Sequence, residues 1–192
     1  VDSFLLRLAA QRGVRFKSRV RSNTDEIQFK GANVEDVRKG LTREEVHVVD
    51  FAGMYPSIII SWNMSPETIR HDFRLVEDIG ARPHYLSHLP AKRYPLPVNH
   101  CAAPNDVVFR CETQGVLPEA VIEIRRQRKV WSERENAASP GTREWQEAHR
   151  RNIAYKQIAN CFYGVVASPV SRCFDKAIGA STAAAGVWLI KQ

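Results

Sequence analysis

The stretch EEVHVVDFAGMYPSIIISW, residues 44–62, joins an apolar run to an acidic residue, a tight turn and a second apolar run. The β-branched run VHVVDF predicts a short buried strand that ends at Asp50. Pro56 suits the first turn of a helix, so PSIIISW predicts a helix directly after the strand. This order of strand, turn and helix predicts that the Asp50 carboxylate lies at an exposed edge, beside the backbone carbonyl of Phe51.

These two oxygens have the chemistry of a metal site. Carboxylate and carbonyl oxygens are hard ligands that suit Mg²⁺, which takes few protein ligands and completes its shell with water and phosphate. Tyr55 stands close enough to wall off whatever binds the metal. On the other hand, a lone Asp at a strand end is more often a turn former or a helix cap. A two-metal site also needs a second carboxylate from elsewhere.

Two long helical patterns further along the chain predict an antiparallel hairpin. The first covers about 118–136 and the second about 142–162, and the segment ASPGT at 138–142 has strong turn chemistry. Further helices are predicted over 2–13 and, in a segment rich in small residues, over 176–191. Residues 70–115 are rich in proline and show no sustained period, which predicts irregular structure.

One face of this hairpin carries cations in a pattern that suits a polyphosphate. Arg125 and Lys129 share a face of the first helix, and Lys156, Asn160 and Tyr163 form one stripe on the second. Folding at the turn puts Arg125 and Lys156 level with each other, roughly 22 Å from the tip at a rise of about 1.5 Å per residue. Several fixed cations suit several phosphate charges, and the alternative is a solvated basic face.

The composition predicts an intracellular protein and fits a partner rich in phosphate. Lys and Arg number 28 against 21 Asp and Glu, which gives a formal net charge of +7. A basic surface kept for solubility accounts for that charge equally well. The 192 residues suit one core or two small lobes. The four cysteines show no zinc-ligand spacing and are expected to be reduced thiols, and no apolar run is long enough to span a membrane.

Four segments together resemble the palm and fingers of a family B DNA-directed DNA polymerase. DFAGMYPSIIISWNMSPET (50–68) resembles the family's motif A, D-x-x-S-L-Y-P-S-I, and KQIANCFYG (156–164) resembles motif B, K-x-x-x-N-S-x-Y-G. GVLPEAVIEIRRQRK (115–129) resembles the first fingers helix, and FKGANVEDVRKG (29–40) resembles the linker after the exonuclease domain. The segments follow the family's order and spacing and cover most of the chain.

The resemblance implies a role for each matching residue. Asp50 would be a catalytic metal ligand, assisted by the carbonyl of Phe51, and Tyr55 would be the steric gate that excludes a ribose 2′-hydroxyl. The nascent base pair would face Asn160, Tyr163 and Gly164. The incoming nucleotide would be bound by Gly53, Met54, Tyr55, Arg125, Lys129, Lys156 and Asn160, and the linker element would consist of Phe29, Gly31 and Ala32.

The implied fold is α+β, with a partial polymerase palm of short strands and helices and an antiparallel two-helix fingers hairpin. Four divisions of the chain are expected: a helix and linker at 1–44, a palm part with motif A at 45–115, the fingers hairpin with motif B at 116–164, and a return into the palm at 165–192.

The implied reaction is template-directed addition of deoxynucleotides to a primer 3′ end by two-metal nucleotidyl transfer. Its cofactor would be Mg²⁺, with Mn²⁺ as a substitute. The implied partners are primer-template DNA, a dNTP and the remaining polymerase domains, with no membrane. The family's D-T-D-like third motif, exonuclease domain and thumb fall outside the sequence, so the chain is expected to be inactive alone.

The sequence departs from the family pattern at two hydroxyl positions. Gly53 replaces the motif A serine, which removes a hydroxyl near the triphosphate, and its backbone freedom is an equally good reason for the glycine. Cys161 replaces the motif B serine, a near-isosteric change. Two other interpretations remain open: a catalytically dead, polymerase-derived module that binds nucleic acid or nucleotides, and a basic helical nucleic-acid-binding protein of other ancestry.

Overall fold

The computed structural model of the protein describes residues 2–16, 40, 45, 47, 50–70 and 98–191. These residues form five α-helices, one 3₁₀-helix and one two-stranded sheet, which confirms the α+β fold class. The helices are α1 (Asp2–Gln11), α2 (Met54–Ser61), α3 (Val116–Ala137), α4 (Arg143–Ala167) and α5 (Lys176–Ile190), with the 3₁₀-helix at Pro66–Thr68 and the strands β1 (His100–Ala102) and β2 (Val108–Arg110).

Helices α3 and α4 form the predicted antiparallel hairpin. The hydroxyl of Thr142 accepts a hydrogen bond from the Trp145 amide and caps the start of α4. Contacts between the two helices join Arg128 to Asn152 and Glu135 to His149. In each pair, the two residues lie at about the same distance along the chain from the turn at 138–142. The helices are longer than the sequence predicted, since α3 begins at residue 116 and α4 continues to residue 167.

The core lies where α2, α3, α4 and α5 meet. Its largest buried side chains include Ile58, Ile59, Leu117, Phe162 and Ile178. Helix α5 is buried along most of its length because its small residues allow close approach to α2. The helix predicted for this segment is therefore confirmed, one residue shorter than the predicted range. Among the described residues, no helix has the length and apolar character needed to cross a membrane.

A β-hairpin corrects the prediction of irregular structure throughout 70–115. Strands β1 and β2 are antiparallel, with Cys101 opposite Phe109. The chain reverses at Asp106, whose φ of 66° is a left-handed turn conformation that Asp tolerates better than most residues. Strands of three residues are too short to show a period, so the sequence pattern missed them. Most of the strand predicted before Asp50 lies outside the described residues.

The segment after α2 fixes the start of α3. Asn63 accepts a hydrogen bond from the Gly115 amide at 2.8 Å, and a carboxylate oxygen of Glu67 accepts one from the Val116 amide at 2.6 Å. The hydroxyl of Ser65 accepts from the Leu117 amide at 3.2 Å. Because the first amides of a helix have no partner within it, these three acceptors complete the helix and set its position relative to α2.

Candidate functional site

The turn before α2 depends on a left-handed glycine. Gly53 is the N-cap residue of α2, with φ 67° and ψ 49°. Glycine adopts this region without a steric penalty, whereas other residues seldom do. Helix α2 begins at Met54, so the predicted helix start at Pro56 is two residues late, although Pro56 does lie in the first turn. A glycine N-cap offers no side-chain oxygen to the first amides of the helix.

Arg125 connects α3 to this turn. Its Nη2 donates to the Gly53 carbonyl oxygen at 3.1 Å and to the Ser57 hydroxyl at 2.7 Å. The Ser57 hydroxyl itself donates to the same carbonyl at 3.0 Å. The guanidinium, the carbonyl and the hydroxyl therefore form a closed network. The sequence analysis singled out the turn after Asp50 and the cation-bearing helix α3 separately. In the structure these two segments are in direct contact.

Tyr55 and Tyr163 form a second contact between the predicted site segments. Their rings are stacked, with centroids 4.4 Å apart and planes inclined by 20°. Burial, followed by the nearby Tyr55, raises the pKa of the Tyr163 phenol. The stack joins the first turn of α2 to the C-terminal part of α4.

Helix α5 packs against the same tyrosine. A Cβ on Gly186 would lie 3.2 Å from Tyr55 Cε1 and 3.4 Å from the Met54 Cε. A side chain at this position would therefore require the Tyr55 ring to move by a few tenths of an ångström. Gly186 was not among the site residues that the sequence predicted, and its only signal was the run of small residues around it.

Asp50 and Phe51 lie at the exposed end of this region. The Asp50 side chain is exposed, and the Phe51 ring is 51% exposed. No group of three or more His, Cys, Asp or Glu side chains gathers into a metal-binding cluster within the described part of the chain. One carboxylate and one carbonyl oxygen fit the preference of Mg²⁺ for hard oxygens and few protein ligands, and the remaining ligands would have to come from elsewhere.

The other predicted site residues on the hairpin have exposed side chains and belong to neither the Arg125 network nor the tyrosine stack. Lys129 lies 3.9 Å from the carboxylate of Glu133 one turn further along α3. Lys156 and Asn160 are exposed on α4. The hairpin register that joins Arg128 to Asn152 predicts, when it is extended by about one turn, that Lys156 lies across from Arg125.

Two further predicted positions complete the account. Gly164 follows Tyr163 on α4, and among the described residues no atom lies within 4 Å of where its Cβ would be. The predicted linker element, Phe29, Gly31 and Ala32, lies outside the described residues. Ser57 matches the serine after Tyr-Pro in motif A, but the sequence analysis gave it no role, because its contact with Arg125, 68 positions away, depends on how α2 and α3 pack.

Comparison with known proteins identifies the family to which the chain belongs. A family model described as DNA polymerase family B matches residues 1–192, the entire sequence. The chain belongs to DNA polymerase family B. The sequence-based resemblance is therefore confirmed at the level of the family.

Individual relatives agree with this assignment. The chain is 31% identical over 169 residues to a DNA polymerase of Paramecium bursaria Chlorella virus NY2A, which covers 86% of this chain and 17% of that protein. It is 26% identical over 199 residues to the DNA polymerase delta catalytic subunit of Arabidopsis thaliana. That match covers 100% of this chain and 16% of the plant protein. The sequence thus spans about a sixth of the length of these relatives.

A solved structure shows the same fold. The family B DNA polymerase from the hyperthermophilic archaeon Pyrobaculum calidifontis matches with a TM-score of 0.71 and 26% sequence identity. The match covers 99% of this chain and 22% of that one.

Proposed function

We propose that this chain is the palm and fingers segment of a template-directed DNA polymerase, which adds deoxynucleotides to a primer 3′ end. The observation that carries the proposal is the contact of Arg125 with Gly53 and Ser57, because it joins a candidate triphosphate clamp to the turn that follows Asp50. In this proposal residues 1–44 are a helix and linker, 45–115 and 165–192 belong to the palm, and 116–164 form the fingers.

Asp50 would hold metal at the reaction centre, with the carbonyl of Phe51 as a further oxygen ligand. In the reaction the primer 3′-oxygen would lose its proton to a water molecule and bond to the α-phosphorus, while the bond from that phosphorus to the leaving pyrophosphate breaks. Mg²⁺, or Mn²⁺ in its place, would neutralise charge on the attacking and leaving oxygens. The family's second carboxylate would have to come from another part of the enzyme.

The cations would bind the phosphates of the incoming dNTP. Arg125 is half-buried and oriented by two hydrogen bonds, whereas the side chains of Lys129, which lies 3.9 Å from Glu133, and Lys156 are exposed. A guanidinium with a fixed plane matches the oxygens of a phosphate, and ammonium groups add charge with less geometric demand. The uncapped amides at the start of α2 would favour the same anion.

Tyr55 would check the sugar, and Met54 and Gly53 would line the nucleotide beside it. The Tyr163 stack and the close approach of Gly186 restrict the movement of the Tyr55 ring, as a steric gate requires. Asn160, Tyr163 and Gly164 would face the nascent base pair. The absence of a side chain on Gly164 would allow a base pair to approach the helix closely.

The partners in this proposal are primer-template DNA, a dNTP and the remaining polymerase domains, in an intracellular setting. A net charge of +7 suits contact with the DNA backbone. The chain alone should not extend a primer, because it supplies only one of the catalytic carboxylates. Primer extension by the isolated chain that disappears in Asp50→Ala would contradict this expectation.

The decisive experiment places this chain in a complete family B polymerase, in exchange for the corresponding segment. Primer extension is then compared for the unmodified graft, Asp50→Asn and Glu112→Gln. Asp50→Asn keeps the side-chain shape but removes its charge, so we expect metal-dependent synthesis to be lost. Glu112 is an exposed carboxylate after β2, and its variant should keep activity.

The graft experiment also tests the alternative. A folded graft that binds primer-template DNA and dNTP but synthesises nothing would favour the catalytically dead module. Synthesis that survives in Asp50→Asn would reject the assigned role of Asp50.

A further inference from the structure

The hydroxyl of Ser57 lies at the centre of the network that holds Arg125. A serine hydroxyl has one hydrogen to donate and lone pairs that accept. Here the hydrogen goes to the Gly53 carbonyl at 3.0 Å, and a lone pair accepts from Arg125 Nη2 at 2.7 Å. Ser57 is half-buried and lies on the first turns of α2, a rigid element. The position of the hydroxyl is therefore fixed by the helix that also carries Tyr55.

We infer that Ser57 is a positioning residue that orients the Arg125 guanidinium for the triphosphate. This inference rests on the proposed function, since Ser57 acts on the nucleotide only through Arg125. A guanidinium carries five N–H donors in a planar fork. Its Nη2 is engaged with Ser57 and Gly53, which leaves the Nη1 and Nε side to present to phosphate oxygens. An arginine oriented beforehand loses less conformational entropy when the anion binds.

Gly53 makes room for this arrangement. A Cβ at residue 53 would lie 3.0 Å from Arg125 Nη2, which is tighter than ordinary van der Waals contact. A serine at this position, as in the family motif, would crowd the guanidinium that Ser57 now binds. The absence of a side chain at residue 53 and the Ser57–Arg125 hydrogen bond therefore depend on each other in this structure.

A test must separate positioning from a purely structural link between α2 and α3. In the polymerase graft, Ser57→Thr keeps the hydroxyl. Ser57→Val has nearly the same shape as Ser57→Thr but lacks the hydroxyl. We expect Ser57→Val to raise the KM for dNTP about tenfold, the effect of losing one hydrogen bond to a charged group. Its kcat should stay within about twofold of the Ser57→Thr value, because the hydroxyl does not touch the reacting atoms. Ser57→Ala repeats the comparison if the valine variant does not fold.

The mechanism also requires that Ser57 act through Arg125. In an Arg125→Ala background, the Thr and Val variants should have the same KM. An equal loss in both backgrounds, or an equal KM for Thr and Val with Arg125 present, would overturn the inference.

A binding measurement distinguishes this inference from the proposed function. Affinity for dNTP is measured calorimetrically on the graft with a primer that ends in a dideoxynucleotide, so no synthesis occurs. A weaker dNTP affinity in Ser57→Val than in Ser57→Thr supports the inference even if the graft synthesises nothing. Asp50-dependent synthesis with equal affinities supports the proposed function and rejects the inference. Equal affinities without synthesis reject both.

Discussion

A Cβ atom on residue 53 would lie 3.0 Å from the Nη2 atom of Arg125, so a glycine in the acidic turn and an arginine on α3 occupy adjoining space. The two residues are 72 positions apart in the sequence. Their closeness makes the backbone conformation of one segment and the side-chain position of the other depend on each other. Substitutions at residue 53 should therefore have a larger effect than backbone strain alone produces.

Gly53→Ala should destabilise the chain more than Gly141→Ala. Both glycines have positive φ, 67° for Gly53 and 86° for Gly141, and alanine in the left-handed region costs about 1–2 kcal/mol. No described atom lies within 4 Å of a Cβ on Gly141, so that variant measures strain alone. Gly53→Ala should cost roughly 1 kcal/mol more, because it also disturbs the hydrogen bonds of Arg125.

Urea unfolding of both variants supplies the comparison. If Gly53→Ala and Gly141→Ala lower the free energy of unfolding equally, Arg125 moves aside without cost. That result would contradict the prediction that a Cβ at residue 53 costs more than its backbone strain.

Two helical glycines should respond to alanine in opposite directions. Gly164→Ala should stabilise α4 by about 0.5–1 kcal/mol, since alanine is a better helix former and space is open there among the described residues. Gly186→Ala should destabilise the protein by about 1–3 kcal/mol through overpacking, because its Cβ would press on Tyr55. Thermal unfolding monitored by circular dichroism measures both changes.

The same pair of glycines tests the proposed site. If Gly164 faces the nascent base pair, Gly164→Ala should lower dNTP insertion in the polymerase graft although it stabilises the fold. A stabilised variant with unchanged insertion would remove Gly164 from the site.

The sequence predicted the parts of the fold that local rules govern. The α3–α4 hairpin follows from two periodic segments and a turn around Pro140 and Gly141, and its register follows from where that turn lies. Helix α5 follows from a long run without proline, in which several alanines outweigh the two glycines Gly179 and Gly186. Each of these signals is contained within a few turns of the chain, so tertiary contacts are not needed to find it.

The contacts within the candidate site could not be predicted in the same way. The Ser57–Arg125 bond joins residues 68 positions apart, and the Tyr55–Tyr163 stack depends on how α2 and α4 pack. The capping of α3 by Glu67 likewise depends on how the segment after α2 folds back. A hydrophobic pattern indicates which face of a helix is buried, but it does not indicate which polar groups meet across the interface.

The thiols of Cys101 and Cys111 should differ in reactivity. Their sulfur atoms are 3.1 Å apart. Burial, followed by the hydrogen bond and charge of Cys111, raises the pKa of Cys101 to about 12. Since the thiolate is the reactive form, iodoacetamide at pH 8.5 should modify Cys101 slower than an ordinary thiol by a factor on the order of 1,000.

Peptide mass spectrometry over a time course compares Cys101 with Cys161, which is exposed. Cys111→Ser should speed the modification of Cys101 only in part, because burial is the largest cause of the raised pKa and remains. Equal rates for Cys101 and Cys161 in the unmodified chain would contradict the described packing of the β-hairpin.

Tyr55 should control the choice of sugar through the bulk of its ring. Tyr55→Val removes the ring that stacks on Tyr163, whereas Tyr55→Phe keeps it. In the polymerase graft, Tyr55→Val should raise the ratio of ribonucleotide to deoxynucleotide incorporation by about 10- to 100-fold, the selectivity lost with a clash of roughly 1.4–2.8 kcal/mol. Tyr55→Phe should stay close to the unmodified graft, because the phenolic hydroxyl adds little bulk. Single-nucleotide insertion with matched dNTP and rNTP gives both ratios of kcat/KM. If the phenylalanine variant admits ribonucleotides as readily as the valine variant, discrimination depends on the hydroxyl, and the steric role of the ring is rejected.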